Sequence, residues 1–319
     1  MRVLVTGVGG FVGAHLARRL RDRGDEVIGV GVADAPPATR ELLAAELRAD
    51  VIDTAAIAAA VAEVKPDAVV HLAAQSSAGR SFEQPVETFR INAAGTWNLL
   101  EAVRGAVPRA RVLVVGTGEV YGPQPEGSRV AEDAPFAPVS PYALSKAAAD
   151  AMAEAAAEAH GLDVVRTRSF GHSGPGQTTT FVIPSIARQI AALEAGGGEP
   201  VVKVGNLEVT RDLCDVRDVA DAYVALLERG RTGAAYNVGS GRGVQLTDVA
   251  ARLVAQARRP LRLEVDPARM RPADVSWLVA DVTAIARDTG WHATTPLEVT
   301  LADVLEEQRA LAAGSRATE

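Results

Sequence analysis

The chain has 319 residues, 48% of them hydrophobic and 23% charged, which supplies a large apolar core and excludes a disordered or fibrous chain. Its 33 Lys and Arg stand against 40 Asp and Glu, and the resulting net charge of −7 argues against a broad basic surface for nucleic acid or anionic lipid, while allowing a local basic pocket. Cys214 is the only cysteine, so no intrachain disulfide or cysteine-based zinc site can form, and a reducing cytoplasm is the simplest compartment. No apolar run approaches the ~20 residues of a membrane span, and residues 1–7 lack a signal-peptide pattern.

The first half alternates short β-branched runs with longer Ala-rich stretches. Strands are expected at 2–6, 26–30, 47–51, 68–72, 111–115 and 162–167, with helices between them at 11–23, 54–64 and 89–103 and a strongly helical segment at 142–160. This is the pattern of an α/β fold, a Rossmann-like doubly wound parallel sheet. The first strand runs into Thr6-Gly7-Val8-Gly9-Gly10-Phe11-Val12-Gly13. Gly7 permits the tight turn, Gly10 lets the backbone approach phosphate oxygens and Gly13 lets the helix pack closely, so a dinucleotide pyrophosphate is expected at this helix N-terminus. The acid that would hold a ribose 2′-hydroxyl should end the second strand, where Gly31 stands instead, followed by Val32, Ala33 and Asp34. No arginine adjoins that tip in sequence, so NADP and NAD both stay open. Asp50-Val51 either presents a carboxylate to the adenine amino group or is an exposed turn.

Thr117 follows the fifth strand within Gly116-Thr117-Gly118-Glu119-Val120-Tyr121-Gly122, at the sheet edge where doubly wound proteins bind ligands. Tyr142 and Lys146, four apart on one helix, share a face. A lysine ammonium beside the phenol would lower its pKa from about 10 toward the working pH and let it exchange a proton with a substrate oxygen. After Arg168 the chain becomes richer in turns. The expected division is a dinucleotide-binding domain at 1–168, joined by part of 213–240, and a smaller mixed α/β substrate lobe at 169–319. The histidines and acids show no metal-ligand spacing, so no metal is expected. Cys214 reads as buried, His160 as a helix cap, His15 as structural, and His71 equally as packing or contact.

With the glycine turn, His71-Leu72-Ala73-Ala74, Asn92-Ala93-Ala94-Gly95-Thr96, Thr117, Tyr142 and Lys146 in this order, the chain resembles the extended short-chain dehydrogenase/reductases that act on nucleotide sugars. The resemblance implies catalytic roles for Thr117, Tyr142 and Lys146, with Asn92 organising a water near the lysine. Cofactor contacts would come from Gly7, Gly10, Phe11, Val12, Gly13, Asp50, Val51, Leu72, Ala73, Ala74, Asn92 and Ser169, and from Tyr142 and Lys146 themselves. The segments Arg168-Ser169-Phe170-Gly171-His172-Ser173-Gly174-Pro175-Gly176-Gln177, Phe181-Val182-Ile183-Pro184, Arg211-Asp212 and Arg269-Met270-Arg271-Pro272 are similar to GDP-4-keto-6-deoxy-D-mannose reductases and their GDP-mannose 4,6-dehydratase relatives. That likeness implies a GDP-linked sugar, slightly favours NADP, and puts Gln75, Gly118, Glu119, Gly171, Phe181, Val182 and Lys203 on the substrate side. Arg211 and Arg271 would clamp a diphosphate, and Asp274 would meet a ribose or base.

Three residues depart from the pattern: Ser169 replaces a usual proline, Gly171 a usual asparagine and Leu213 a usual aromatic. A dehydratase needs a base and an acid besides hydride transfer; Glu119 is a candidate base, but Gly118 supplies no side chain where the resemblance to dehydratases implies an acidic or hydroxyl group. Net reduction of a 4-keto-6-deoxyhexose is therefore the leading expectation, ahead of dehydration, 4-epimerisation and, remotely, a catalytically idle dinucleotide-binding regulator. Small residues at 147, 151, 155 and 159 form a strip on the Tyr142 helix that suits the helix-mediated homodimer usual in this family, or equally packing within its own domain.

Overall fold

The computed structural model describes residues 1–196, 198–270 and 275–316. The chain opens with β1 (Arg2–Thr6), α1 (Phe11–Asp22), β2 (Glu26–Gly31), α2 (Pro37–Arg40), β3 (Ala45–Arg48), α3 (Thr54–Val64), β4 (Ala68–His71), α4 (Ala78–Glu83), α5 (Pro85–Phe89), α6 (Gly95–Ala106) and β5 (Arg111–Thr117). It continues through α7 (Pro141–His160), β6 (Val164–Ser169), β7 (Gly171–Ser173), α8 (Val182–Glu194), β8 (Val201–Val204), β9 (Thr210–Asp215), α9 (Val216–Arg229) and β10 (Ala235–Val238). β11 (Gly243–Gln245), α10 (Leu246–Ala255), β12 (Arg262–Val265), β13 (Trp277–Leu278), α11 (Thr283–Thr289) and α12 (Leu297–Arg316) complete it.

A seven-stranded parallel sheet runs β10-β6-β5-β4-β1-β2-β3, reversing direction of growth between β1 and β4. Its strands read as continuous apolar runs because helices cover both faces. Val3, Val5, Val70 and Leu113 face α1 and α9, while Leu4, Val69, Val112 and Val114 face α3, α6 and α7. A separate apolar cluster joins Ile186 and Ile190 of α8 to Val202, Leu253, Leu301 and Leu305. The chain returns from this region to the sheet, since α9 packs on α1 and β10 pairs with β6.

Three sequence expectations change. The six expected strands become seven, because the short β10 carries Asn237, a polar residue that reads as loop; its fully buried amide takes a hydrogen bond from the Tyr121 hydroxyl at 2.8 Å and donates to the Val130 carbonyl at 2.9 Å. β3 ends at Arg48, not at Val51: the turn that follows closes with an Asp53 N–H to Asp50 carbonyl bond, and Asp53 then caps α3 through the N–H groups of Ala55 and Ala56. The helix expected at 89–103 is divided, with a π-helical turn at Arg90–Ala94 between α5 and α6.

α7 is capped by the Ser140 hydroxyl and ends at Gly161, whose φ of 66° suits the left-handed C-terminal position. Midway along it Asp150 accepts from Arg166 at 2.7 Å and Arg168 at 3.1 Å, all three side chains no more than 6% exposed. Removing this carboxylate would leave the desolvated Arg168 guanidinium with neutral partners, the Tyr121 hydroxyl and the Glu132 carbonyl, while Arg166 keeps Glu154. We expect Asp150→Asn to cost about 3–5 kcal/mol in urea unfolding; a loss below about 1 kcal/mol would show that the cations find other partners.

Candidate active site

The expected functional groups converge on the carboxyl edge of the sheet, beside the reversal between β1 and β4. A continuous cleft of about 1290 Å³ follows this edge into the α8–β8 region, larger than the roughly 300–1,000 Å³ of a single-ligand pocket. Gly7, Gly10, Phe11, Val12 and Gly13 line one end, with Asp50 and Val51 beside them. Gly7 has φ +70°, and a Cβ there would lie 2.8 Å from the Ala73 nitrogen; one on Gly13 would lie 2.3 Å from the Val8 carbonyl oxygen. α1 has neither a side-chain cap nor an acid in its first turn, so its positive end and free N–H groups stay available to an anion. These features fit a dinucleotide pyrophosphate.

A buried polar chain holds this end in register with the Tyr142 helix. The Thr96 hydroxyl donates to the Asn92 carbonyl at 2.6 Å, so it accepts from His71 Nε2 at 3.0 Å. Burial pushes the His71 pKa down to about 3, and the neutral ring then accepts at Nδ1 from Thr6 Oγ1 at 2.8 Å. Thr6 in turn accepts the Ala73 N–H at 3.2 Å, fixing the Leu72–Ala73–Ala74 wall of the cleft. Asn92 lies behind that wall and not on it. Its side chain bonds both backbone groups of Gln75 and donates to the Ser145 hydroxyl at 2.9 Å, and Ser145 donates to the Tyr142 carbonyl. Asn92 thus ties Gln75 at the cleft wall to the start of α7.

Thr117 ends β5 in register with Ser169 of β6, and both line the cleft. Ser169 Oγ lies 2.7 Å from the Tyr223 hydroxyl. Thr117 Oγ1 accepts the Glu119 N–H at 3.3 Å and lines the same cleft as the Tyr142 phenol, whose pKa is raised by burial and by the nearby Glu119 carboxylate. Lys146, one helical turn on, donates its ammonium to the Val115 carbonyl, and burial lowers its pKa from 10.5 to about 8, against the opposing pull of Asp150. This corrects the expectation that Lys146 depresses the phenol pKa: the ammonium meets the strand carbonyl, and Tyr142 stands as a protonated donor. Gly118 is a second correction. It is buried off the cleft wall, and a Cβ on it would lie 2.8–2.9 Å from three atoms of the Phe170 ring.

A family model described as GDP-mannose 4,6 dehydratase matches residues 4–304. The chain is 35% identical to the GDP-6-deoxy-D-mannose reductase of Pseudomonas aeruginosa, over 96% of each protein. A solved structure of RMD from Pseudomonas aeruginosa complexed with NADPH superposes with TM-score 0.83 at 31% identity, covering 98% of this chain and 100% of that one. The UDP-glucose 4-epimerase of Thermus thermophilus in complex with NAD gives TM-score 0.85 at 30% identity, over 97% and 99%. The chain belongs to the GDP-mannose 4,6-dehydratase family.

Gly171 and Leu213, two of the three residues read as departures, are neighbours, opposite each other where β7 pairs with β9. A Cβ on Gly171 would lie 2.7 Å from the Asp212 carbonyl oxygen and 3.1 Å from Leu213 Cδ2, so the side-chain space at 171 is closed by β9. Farther along, Phe181, Val182, Lys203 and Arg211 line the cleft, with the Lys203 ammonium paired to Glu264. Gln75 also lines it, its side chain donating to the Ser77 carbonyl and Thr88 hydroxyl. Arg271 and Asp274 lie outside the described residues. Arg269, from the same motif, reaches the cleft and donates to the Ser185 hydroxyl at 3.3 Å. Sequence reasoning also missed His172, whose ring stacks on Phe11 at 6.0 Å and 9°; its place in a turn-rich run was the only signal.

The Lys146 pKa gives a pH prediction. Below about 8 the ammonium is charged, and above it the charge is lost. The free-enzyme profile of kcat/KM should therefore fall above about pH 8. A plateau extending through pH 9.5 would contradict a required ammonium.

Proposed function

We propose that this enzyme uses NADPH or NADH to reduce the C4 carbonyl of a nucleotide-linked 4-keto-6-deoxyhexose, GDP-linked by the similarity to the reductase. The observation that carries the reading is the Tyr142 phenol, kept protonated by burial in the cleft that Thr117 also lines, beside a residue 118 with no room for an acid. The backbone from Gly7 to Gly13, the Leu72–Ala74 wall and Asp50 would hold the dinucleotide, which when bound supplies the hydride. Tyr142 donates its proton to the oxygen developing at C4, so hydride and proton together convert the ketone to an alcohol. Thr117 orients that oxygen, and Lys146 keeps positive charge beneath the reacting centre. Arg211 and Arg269 suit the substrate diphosphate.

Glu119 favours a second reading, because a carboxylate in the cleft near Tyr142 is a candidate base for dehydration with an internally recycled hydride. Incubation with GDP-4-keto-6-deoxymannose and NADPH separates the two. Reduction predicts one NADPH oxidised per alcohol formed, and Tyr142→Phe slows it by about 10² to 10⁴. Conversion of a nucleotide sugar without net oxidation would establish dehydration or epimerisation instead.

The same reading includes a homodimer in the cytoplasm. Among the described residues no helix is long and apolar enough to cross a membrane. Ala151, Ala155 and Ala159 are exposed on α7, beside exposed Leu144 and, on α5, Val86 and Phe89. An outward-facing strip is poorly explained by packing within its own subunit. Light scattering should give a dimeric mass for the wild type and a monomeric one for Leu144→Glu; a monomeric wild type at micromolar concentration would exclude this assembly.

A further inference from the structure

The loop that carries Gly176, Gln177 and Thr178 has two faces. Gln177 and Thr178 line the active-site cleft and also a second cavity, of about 450 Å³, built against α8 and α12. That volume lies in the roughly 300–1,000 Å³ range of small-molecule sites. The loop is held from α12: both Glu307 carboxylate oxygens accept the Gly176 N–H, at 2.8 and 3.0 Å, where the backbone φ of +88° suits glycine.

An amide and a cation line this cavity without protein partners. Gln308, next to Glu307 on α12, is 6% exposed, and its side chain has no hydrogen bond among the described residues. Its polar atoms are not among the fully enclosed unbonded ones, so they open onto the cavity. An amide buried this far with donor and acceptor both uncommitted suits hydroxyl groups, which offer both in return. Arg188 lines the cavity from α8, exposed and with no acid in ion-pair range among the described residues. A guanidinium left open in this way takes a phosphate as a bidentate partner. Glu307 is the one acid among the described lining residues. Its carboxylate can accept a further hydroxyl, and it repels a second anionic group.

We propose that this cavity is a second ligand site, for a sugar monophosphate that is not the reacting substrate. Arg188 receives the phosphate, Gln308 exchanges hydrogen bonds with the sugar hydroxyls, and Glu307 accepts one more. The ligand lies against the back of the loop whose front faces the reaction, so the site is placed to act on the cleft without entering it.

Calorimetric titration of the full chain, saturated with NADPH, with glucose 6-phosphate, inorganic phosphate and glucose tests this without turnover. Glucose 6-phosphate should bind one site with Kd at or below about 1 mM, and phosphate and glucose at least about tenfold more weakly. Arg188→Ala should weaken glucose 6-phosphate by about tenfold to a hundredfold and Gln308→Leu by about fivefold to tenfold, with NADPH affinity within about twofold of wild type in both. Gln308→Leu should also keep or raise the melting temperature of the unliganded protein, since it removes an amide that bonds nothing in the fold. Three results would overturn the site: glucose 6-phosphate binding no better than phosphate, binding unchanged in both variants because the ligand sits in the main cleft, or a lower melting temperature for Gln308→Leu.

Discussion

The Lys146 ammonium, buried against the Val115 carbonyl, is the constraint from which the rest of the site follows. A cation taken out of water must be compensated, and here the compensation is the edge of β5 itself, with Asp150 one turn farther along the same helix. Asp150 is in turn held by two arginines of β6. α7 is therefore tied to two adjacent strands by charge, not by apolar contact alone. That fixes where Tyr142, one turn before the lysine, enters the cleft that Thr117 also lines. Burial then keeps the phenol protonated, the state a proton donor needs.

The opposite side of the helix is tied to the cofactor end by neutral groups. Thr6, His71, Thr96, Asn92 and Ser145 form a chain in which each donor has a stated acceptor, and the neutral histidine is the one tautomer that satisfies both its neighbours. The strand before the glycine turn and the Tyr142 helix are thus joined by a continuous run of buried hydrogen bonds. On the substrate side the wall is more individual: Phe170 closes residue 118, and β9 closes residue 171.

The parts of this arrangement legible in sequence were those written as local patterns. The glycine turn follows a strand and opens a helix, and the four-residue spacing of Tyr142 and Lys146 puts them on one face. What was not legible depends on pairing between distant segments. The direction of the Lys146 ammonium is set by a carbonyl thirty-one positions away, and Arg48 is placed beside Gly31 by strand register. β10 hid behind Asn237, because a buried amide satisfied by tertiary partners looks like a loop residue. The π-helical turn at Arg90–Ala94 was hidden for a related reason, since its helical periodicity is continuous in sequence and its extra residue is accommodated by the side-chain bonds of Asn92. Gly118 read as an absent acid, whereas the structure adds that the Phe170 ring occupies the space.

The state of the Tyr142 phenol in the resting enzyme is the point on which the account is most exposed. Ultraviolet difference titration of the wild type against Tyr142→Phe measures it alone, because the other tyrosines cancel. The account predicts no phenolate absorbance from this residue until above about pH 10. Phenolate appearing near pH 7 would mean that the lysine, not burial, governs the phenol, and the proton-donor assignment would fail.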